Sequence, residues 1–119
     1  TDPSYILRIA EQYLIRAEAK AQLSDLAGAI EDINAVRDRA GLSGTPAVTQ
    51  NEILDAILEE RRLEFLWEAQ AYFDLTRTNR LKEKIEALKP NLTITPKLNL
   101  FPIPSNEVIL GKLEQNPGY

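Results

Sequence analysis

The chain has no cysteine, no histidine and no methionine. Without cysteine there are no disulfides, no thiolate metal ligands and no thiol nucleophile. Without histidine there is no Ser-His-Asp triad and no His-ligated zinc. Positive charge is also scarce: 14 Lys and Arg face 18 Asp and Glu, a net charge of −4. That balance argues against nucleic acid as a partner, because phosphate binding needs clustered cations. No apolar run approaches the roughly 20 residues that span a bilayer. The missing Met and the start at Thr1-Asp2-Pro3, with no signal-peptide pattern, read as a piece of a longer protein. Absent targeting signals therefore say nothing of where the parent protein resides. What is present, 119 residues with 44% hydrophobic, suits one modest domain with a real core and excludes wholesale disorder.

Periodicity predicts an all-α fold. A first helix over Tyr5–Leu23 carries Ile6, Ala10, Tyr13, Leu14, Ala17 and Ala21 at spacings of three and four, one apolar face. Ser24 and Asp25 break it, and either can cap the next helix. The second, Leu26–Ala40, has the stripe Leu26, Ala29, Ile30, Ile33, Val36 and Ala40, with Gly41 at the expected C-terminal cap. A short linker forces the two antiparallel, so residues 5–40 form a helical hairpin, with Ala17 and Ala29 small enough for close approach. The stretch from Leu23 to Asn34 resembles the turn and second helix of a tetratricopeptide repeat, which needs neighbours to bury both faces.

Residues 49–88 read as a long helix and a short one. The long helix begins near Thr49 or Asn51, with Glu52 placed for a capping box if Thr49 is the cap; it runs through Ile53…Thr76, and Thr78-Asn79 ends it. Leu81–Leu88 is the short helix, stopped by Pro90. Residues 89–119 form an extended or irregular tail, with Thr93, Ile94 and Thr95 before Pro96 and a short helix over Glu107–Leu110, capped by Ser105 or Asn106.

The densest chemistry is Glu59-Glu60-Arg61-Arg62-Leu63-Glu64-Phe65-Leu66-Trp67-Glu68. On one continuous helix Ile53, Ile57, Glu60, Glu64, Glu68 and Leu75 fall within roughly 80°, so a buried stripe continues as carboxylates. Asp74 and Arg77, three apart, are spaced to pair. A solvated face is one reading. A structural network of Glu60, Arg61, Glu64, Asp74 and Arg77, with Arg61 or Arg62 and Arg77 bridging the acids, is the preferred one, because buried charge demands pairing. A catalytic or metal cluster is the third. Carboxylate metal sites in helical bundles add a Glu-x-x-His ligand, which this sequence cannot supply, and no cofactor or metal is expected. Paired acids for glycoside hydrolysis would need a separation of roughly 5–9.5 Å.

Phe65, Trp67, Tyr72 and Phe73 have the chemistry of a sugar-stacking platform. Helical spacing instead puts Phe65 and Tyr72 with Leu54 and Leu58, in the core, and leaves Trp67 elsewhere on the wheel. Asn91-Leu92-Thr93 matches a glycosylation acceptor, a motif short enough to arise by chance.

Taken in order, several blocks resemble the C-terminal region of the SusD/RagB family. They are Ala10–Ala19, Ala29-Ile30, Ile33–Leu42, Ile57-Leu58-Glu59-Glu60-Arg61-Arg62-Leu63-Glu64-Phe65 (its "ER-x-x-EF" helix) and Glu68 through Tyr72-Phe73-Asp74-Leu75-Thr76-Arg77. Phe101-Pro102-Ile103-Pro104-Ser105-Asn106-Glu107 and Gln115-Asn116-Pro117-Gly118-Tyr119 match its closing "PIP-x-x-E … QNPGY". Ala69 stands where that pattern usually has Gly, and Ala71 where it often has Arg.

The resemblance implies a non-enzymatic surface lipoprotein of Bacteroidetes at the outer membrane. It would bind an oligosaccharide or other nutrient and sit as a lid over a SusC-like TonB-dependent transporter. It also implies a mostly helical, tetratricopeptide-like scaffold and a structural role for the charged positions. Full members are several hundred residues long, so the lipid anchor and the ligand-contacting loops are expected outside this stretch, and no ligand-binding residue is assigned. The alternatives are a tetratricopeptide-like protein-protein adaptor and a carboxylate-dependent hydrolase.

Overall fold

The computed structural model describes residues 8–91, 95 and 100–119. Among them are six helices and no strand: α1 (Ile9–Gln22), α2 (Leu26–Arg39), α3 (Gln50–Glu64), α4 (Ala71–Arg77), α5 (Leu81–Leu88) and α6 (Ser105–Gly111). The all-α expectation holds. The chain divides into two compact units, Thr1–Ala71 and Tyr72–Tyr119. The expected helix start at Tyr5, and Thr93-Ile94 with most of the acceptor motif at Asn91, lie outside the described residues.

In the first unit α1 and α2 form the predicted hairpin. α1 buries Ala10, Leu14, Ala17 and Ala21, and α2 buries Gly28, Ala29, Asp32, Ile33 and Val36. Ser24 takes φ +66° between them, and Asp25 caps α2 by accepting from the Gly28 amide at 3.0 Å. A Cβ on Gly28 would stand 2.3 Å from the Asp25 carboxylate, so the missing side chain makes room for the cap. Gly41, at φ +72°, ends α2 as the sequence predicts.

α3 opens on the predicted capping box. Thr49 Oγ1 accepts from the Glu52 amide at 3.3 Å, and Glu52 accepts from the Thr49 amide at 2.9 Å. Ile53 and Ile57 then pack on Ala17, Ala21, Ala29 and Ile33. Leu14, Ile33, Ile53 and Ile57 are fully buried, each contributing about 1.5–3 kcal/mol by burial. The alanines set the helix spacing, and a larger residue at Ala17 or Ala29 would cost about 1–3 kcal/mol by overpacking. A second cluster joins Ala10, Leu14 and Val36 to Phe65.

The single long helix expected from Ile53 to Thr76 is instead two. α3 stops at Glu64, and a turn over residues 65–70 leads to α4. Trp67 at φ +74° and Ala69 at φ +56° are incompatible with a helix. Neither Gly nor Pro marks the break. Arg8 lies at the break: its Nη2 donates to the Glu64 carbonyl at 2.7 Å and to the Glu68 carboxylate at 2.6 Å. Arg8 thus occupies a helix-end carbonyl and ties down the turn. The left-handed backbone at Ala69 also explains why glycine suits this position in the pattern the chain resembles.

In the second unit α4 ends at Thr78-Asn79, as predicted. Thr78 Oγ1 donates to the Asp74 carbonyl at 2.7 Å, and Asn79 takes φ +58°. α6 is capped by Pro104 and not by Ser105 or Asn106; Ser105 is its first helical residue. Gln115 braces the proline-rich segment: its side chain accepts from the Ile103 amide at 2.7 Å and donates to the Ile103 carbonyl at 2.8 Å. Asn116 Nδ2 reaches the Phe101 carbonyl at 2.7 Å and the Tyr119 hydroxyl the Leu100 carbonyl at 3.2 Å.

Candidate functional site: an ion-paired helical seam

α3 carries its predicted charges to the edge of the core. Glu60 and Arg61 are buried and Glu64 is half-buried. Glu60 and Glu64 find partners that come from other parts of the chain. Glu60 accepts from Arg37 on α2. Glu64 pairs with Arg8 at 2.9 Å through one oxygen and with Arg39 at 2.5 Å through the other. Arg61 donates to Gln70 at 3.1 Å and lies 3.9 Å from Glu11 on α1. Arg8 and Arg61 each stand 5.1 Å from the centre of the Phe65 ring, placing two cations on one aromatic side chain. Arg62 bridges no buried acid in this set; it pairs with exposed Glu59 at 2.5 Å, and that carboxylate raises its pKa. In the second unit Asp74 is buried and Arg77 embraces it through Nε at 3.0 Å and Nη2 at 2.9 Å, the predicted pair.

Sequence reasoning missed the strongest pair in the hairpin. Asp32, buried on α2, receives Arg16 Nε at 2.8 Å and Nη2 at 2.6 Å, with Lys20 Nζ at 3.0 Å. The Arg16 hydrogen bonds hold its carboxyl below the usual aspartate range although burial pushes the other way. The signal was present: Asp32 interrupts the stripe Ala29, Ile33, Val36, and Arg16 and Lys20 lie four apart on the facing helix. Glu52 is likewise held below the usual range, by the Thr49 and Val48 amides. Arg8, Arg37 and Arg39 gave no local signal, because their partners are distant in sequence.

Each carboxylate of the predicted set receives at least one guanidinium. Two acids that share a catalytic site face each other without counter-ions, whereas each of these faces a cation. Among the described residues no cluster of His, Cys, Asp and Glu could hold a metal ion. In the first unit Phe65 is core and Trp67 is almost wholly exposed; in the second, Tyr72 stacks edge-on against Phe73 at 5.5 Å and tilted against Phe101 at 5.8 Å.

Comparison with known proteins fixes the lineage. The sequence profile of the SusD family matches residues 1–119, the whole chain. The chain belongs to the SusD family. Two SusD-like proteins of Formosa agariphila, P38 and P25, are 37% and 32% identical to it over 96% and 100% of its length. A SusD-like protein from Bacteroides fragilis superposes with a TM-score of 0.79 at 31% identity over 96% of the chain. A laminarin-binding SusD-like protein gives 0.76 at 38% identity over 98%. The SusD-like chain spans about a quarter of the length of these proteins: 24% and 25% of P38 and P25, 25% and 23% of the two structures. No described helix is long and apolar enough to cross a membrane.

Proposed function

We propose that this chain is a scaffold portion of a glycan-binding, non-catalytic surface lipoprotein that captures oligosaccharides and passes them to a SusC-like TonB-dependent transporter in the outer membrane. The observation that carries this reading is the match of the whole chain to the SusD family, together with its likeness to a laminarin-binding member. Glu60, Arg61, Glu64, Asp74 and Arg77 serve as structural ion-pairing residues, a role supported by the guanidinium groups that meet Glu60, Glu64 and Asp74 and by the burial of Glu60, Arg61 and Asp74. Affinity in such a protein comes from stacking and hydrogen bonds, with no covalent chemistry. Membrane attachment comes through a lipid anchor outside these residues.

Isothermal titration of the full-length polypeptide with laminarin and with a panel of other oligosaccharides tests the first step, and affinity purification from the outer membrane tests the second. Saturable binding to one glycan and co-purification of a barrel transporter are expected. Binding of no glycan or other nutrient, with no transporter recovered, overturns the reading. Hydrolysis of the bound glycan, abolished by Glu60→Gln in a folded variant, would replace it with a hydrolase.

A further inference from the structure

In the turn over residues 65–70 local preference and tertiary contact disagree. Phe65-Leu66-Trp67-Glu68-Ala69-Gln70-Ala71 holds no glycine or proline, and Leu, Glu, Gln and Ala are among the better helix formers. Yet Trp67 and Ala69 take φ +74° and +56°, a left-handed backbone that any residue with a Cβ is strained to adopt. Strain of this kind persists only where surrounding contacts impose it. Those contacts converge on Arg8. Its Nη1 donates to the Glu64 carboxylate at 2.9 Å, and its Nη2 to the Glu64 carbonyl at 2.7 Å and the Glu68 carboxylate at 2.6 Å. Its guanidinium stands 5.1 Å from the centre of the buried Phe65 ring. The Glu64 carbonyl is the acceptor that the Glu68 amide takes in a continuous α-helix, four residues back. Here the Glu68 amide donates to the Phe65 carbonyl at 3.0 Å instead. The guanidinium and the helix therefore compete for one oxygen.

We propose that Arg8 is the positioning residue of a helix-to-turn switch. Seated on the Glu64 carbonyl, it holds residues 65–70 in the left-handed turn. When it leaves, that carbonyl accepts from the Glu68 amide and α3 runs on through Gln70. The device couples the start of α1 to the end of α3, because the Arg8 carbonyl also accepts from the Glu11 amide at 3.0 Å where α1 begins. It sets the direction of Trp67 as well, which is 94% exposed on the turn, since left-handed and helical backbones aim a side chain differently.

Hydrogen exchange of the full-length polypeptide, resolved to single amides by mass spectrometry, reads the switch. In Arg8→Ala the Ala69 and Gln70 amides are expected to exchange at least about tenfold more slowly than in the parent, because a helix supplies each with a carbonyl four residues back. The sign is diagnostic: removing an ion pair that only adds stability speeds exchange. Arg8→Lys still donates to the carbonyl and should exchange as the parent does. Adding Ala69→Gly to Arg8→Ala should return the turn amides towards the parent rate, since glycine accepts the left-handed backbone and weakens the helix. The Glu11 amide, bonded to the backbone of residue 8, should keep its rate in every variant. Unchanged or faster exchange at Ala69 and Gln70 in Arg8→Ala, whether confined to the turn or spread through the chain, overturns the proposal. Slowing that Ala69→Gly does not reverse overturns it too.

Discussion

Single residues in this chain differ most in what their removal leaves behind. Glu60 and Asp32 are both buried carboxylates, yet the partner of Glu60 is itself mostly covered, with 22% of the Arg37 side chain exposed, whereas that of Arg16 is 59% exposed. Glu60→Ala strands a cation and should destabilise by about 3 kcal/mol. Asp32→Ala lets Arg16 return to water and leaves Lys20 its bond to the Gly28 carbonyl at 3.2 Å, and should cost about 1–2 kcal/mol. Urea denaturation of the two variants checks the order; equal losses would mean that partner burial does not decide the cost. Ala69 offers the opposite sign. At φ +56° its Cβ costs about 1–2 kcal/mol, while glycine adds about 0.4–1 kcal/mol of unfolded-state entropy. Ala69→Gly should therefore stabilise by about 0.5–1 kcal/mol, and a lower urea midpoint for the variant would contradict the left-handed assignment.

At the scale of elements, legibility tracks sequence distance. The Thr49–Glu52 box, the Gly41 terminus and the Thr78-Asn79 stop were readable because each acts within a few residues. The break after Glu64 was not, because neither Gly nor Pro marks it and Arg8, which bonds the Glu64 carbonyl there, lies 56 residues away. The same distance hides Arg37 and Arg39: the seam is visible on α3, but these partners of Glu60 and Glu64 come from another helix. The tail shows the limit from the other side. It reads as extended or irregular, yet Gln115 works as a substitute strand, satisfying both the amide and the carbonyl of Ile103. Gln115→Glu keeps the acceptor and loses the donor, so it should leave the Ile103 amide protected. Gln115→Ala removes both and should speed hydrogen exchange at that amide by about tenfold, the scale of one lost hydrogen bond. Identical exchange in the two variants would show that the side chain does not hold the segment.

At the scale of the whole first unit, each pair of helices meets through apolar packing and an ion pair. Asp32 with Arg16 and Lys20 joins α1 to α2, Glu60 with Arg37 and Glu64 with Arg39 join α2 to α3, and Glu11 with Arg61 joins α1 to α3. A chain without histidine or cysteine has no side chain with an ordinary pKa between about 6 and 8, so the packing of this unit should be insensitive to pH over that range. Acid is different. The folded pKa values of Asp32 and Glu52 lie below their unfolded ones, so the folded state binds fewer protons than the unfolded state as these groups titrate. Their stabilisation is complete above the unfolded pKa values, about 4, and is lost as pH falls through the folded values. Stability should therefore be flat near neutrality and fall below about pH 4–5. Asp32→Asn keeps the shape of the side chain and removes one of the titrations, so the variant should be less stable at pH 7 and the gap to the parent should close as pH falls. Urea midpoints measured from pH 7 down to pH 3 give both curves, and a gap that stays constant or widens in acid would show that the Asp32 carboxylate is not the group that Arg16 stabilises.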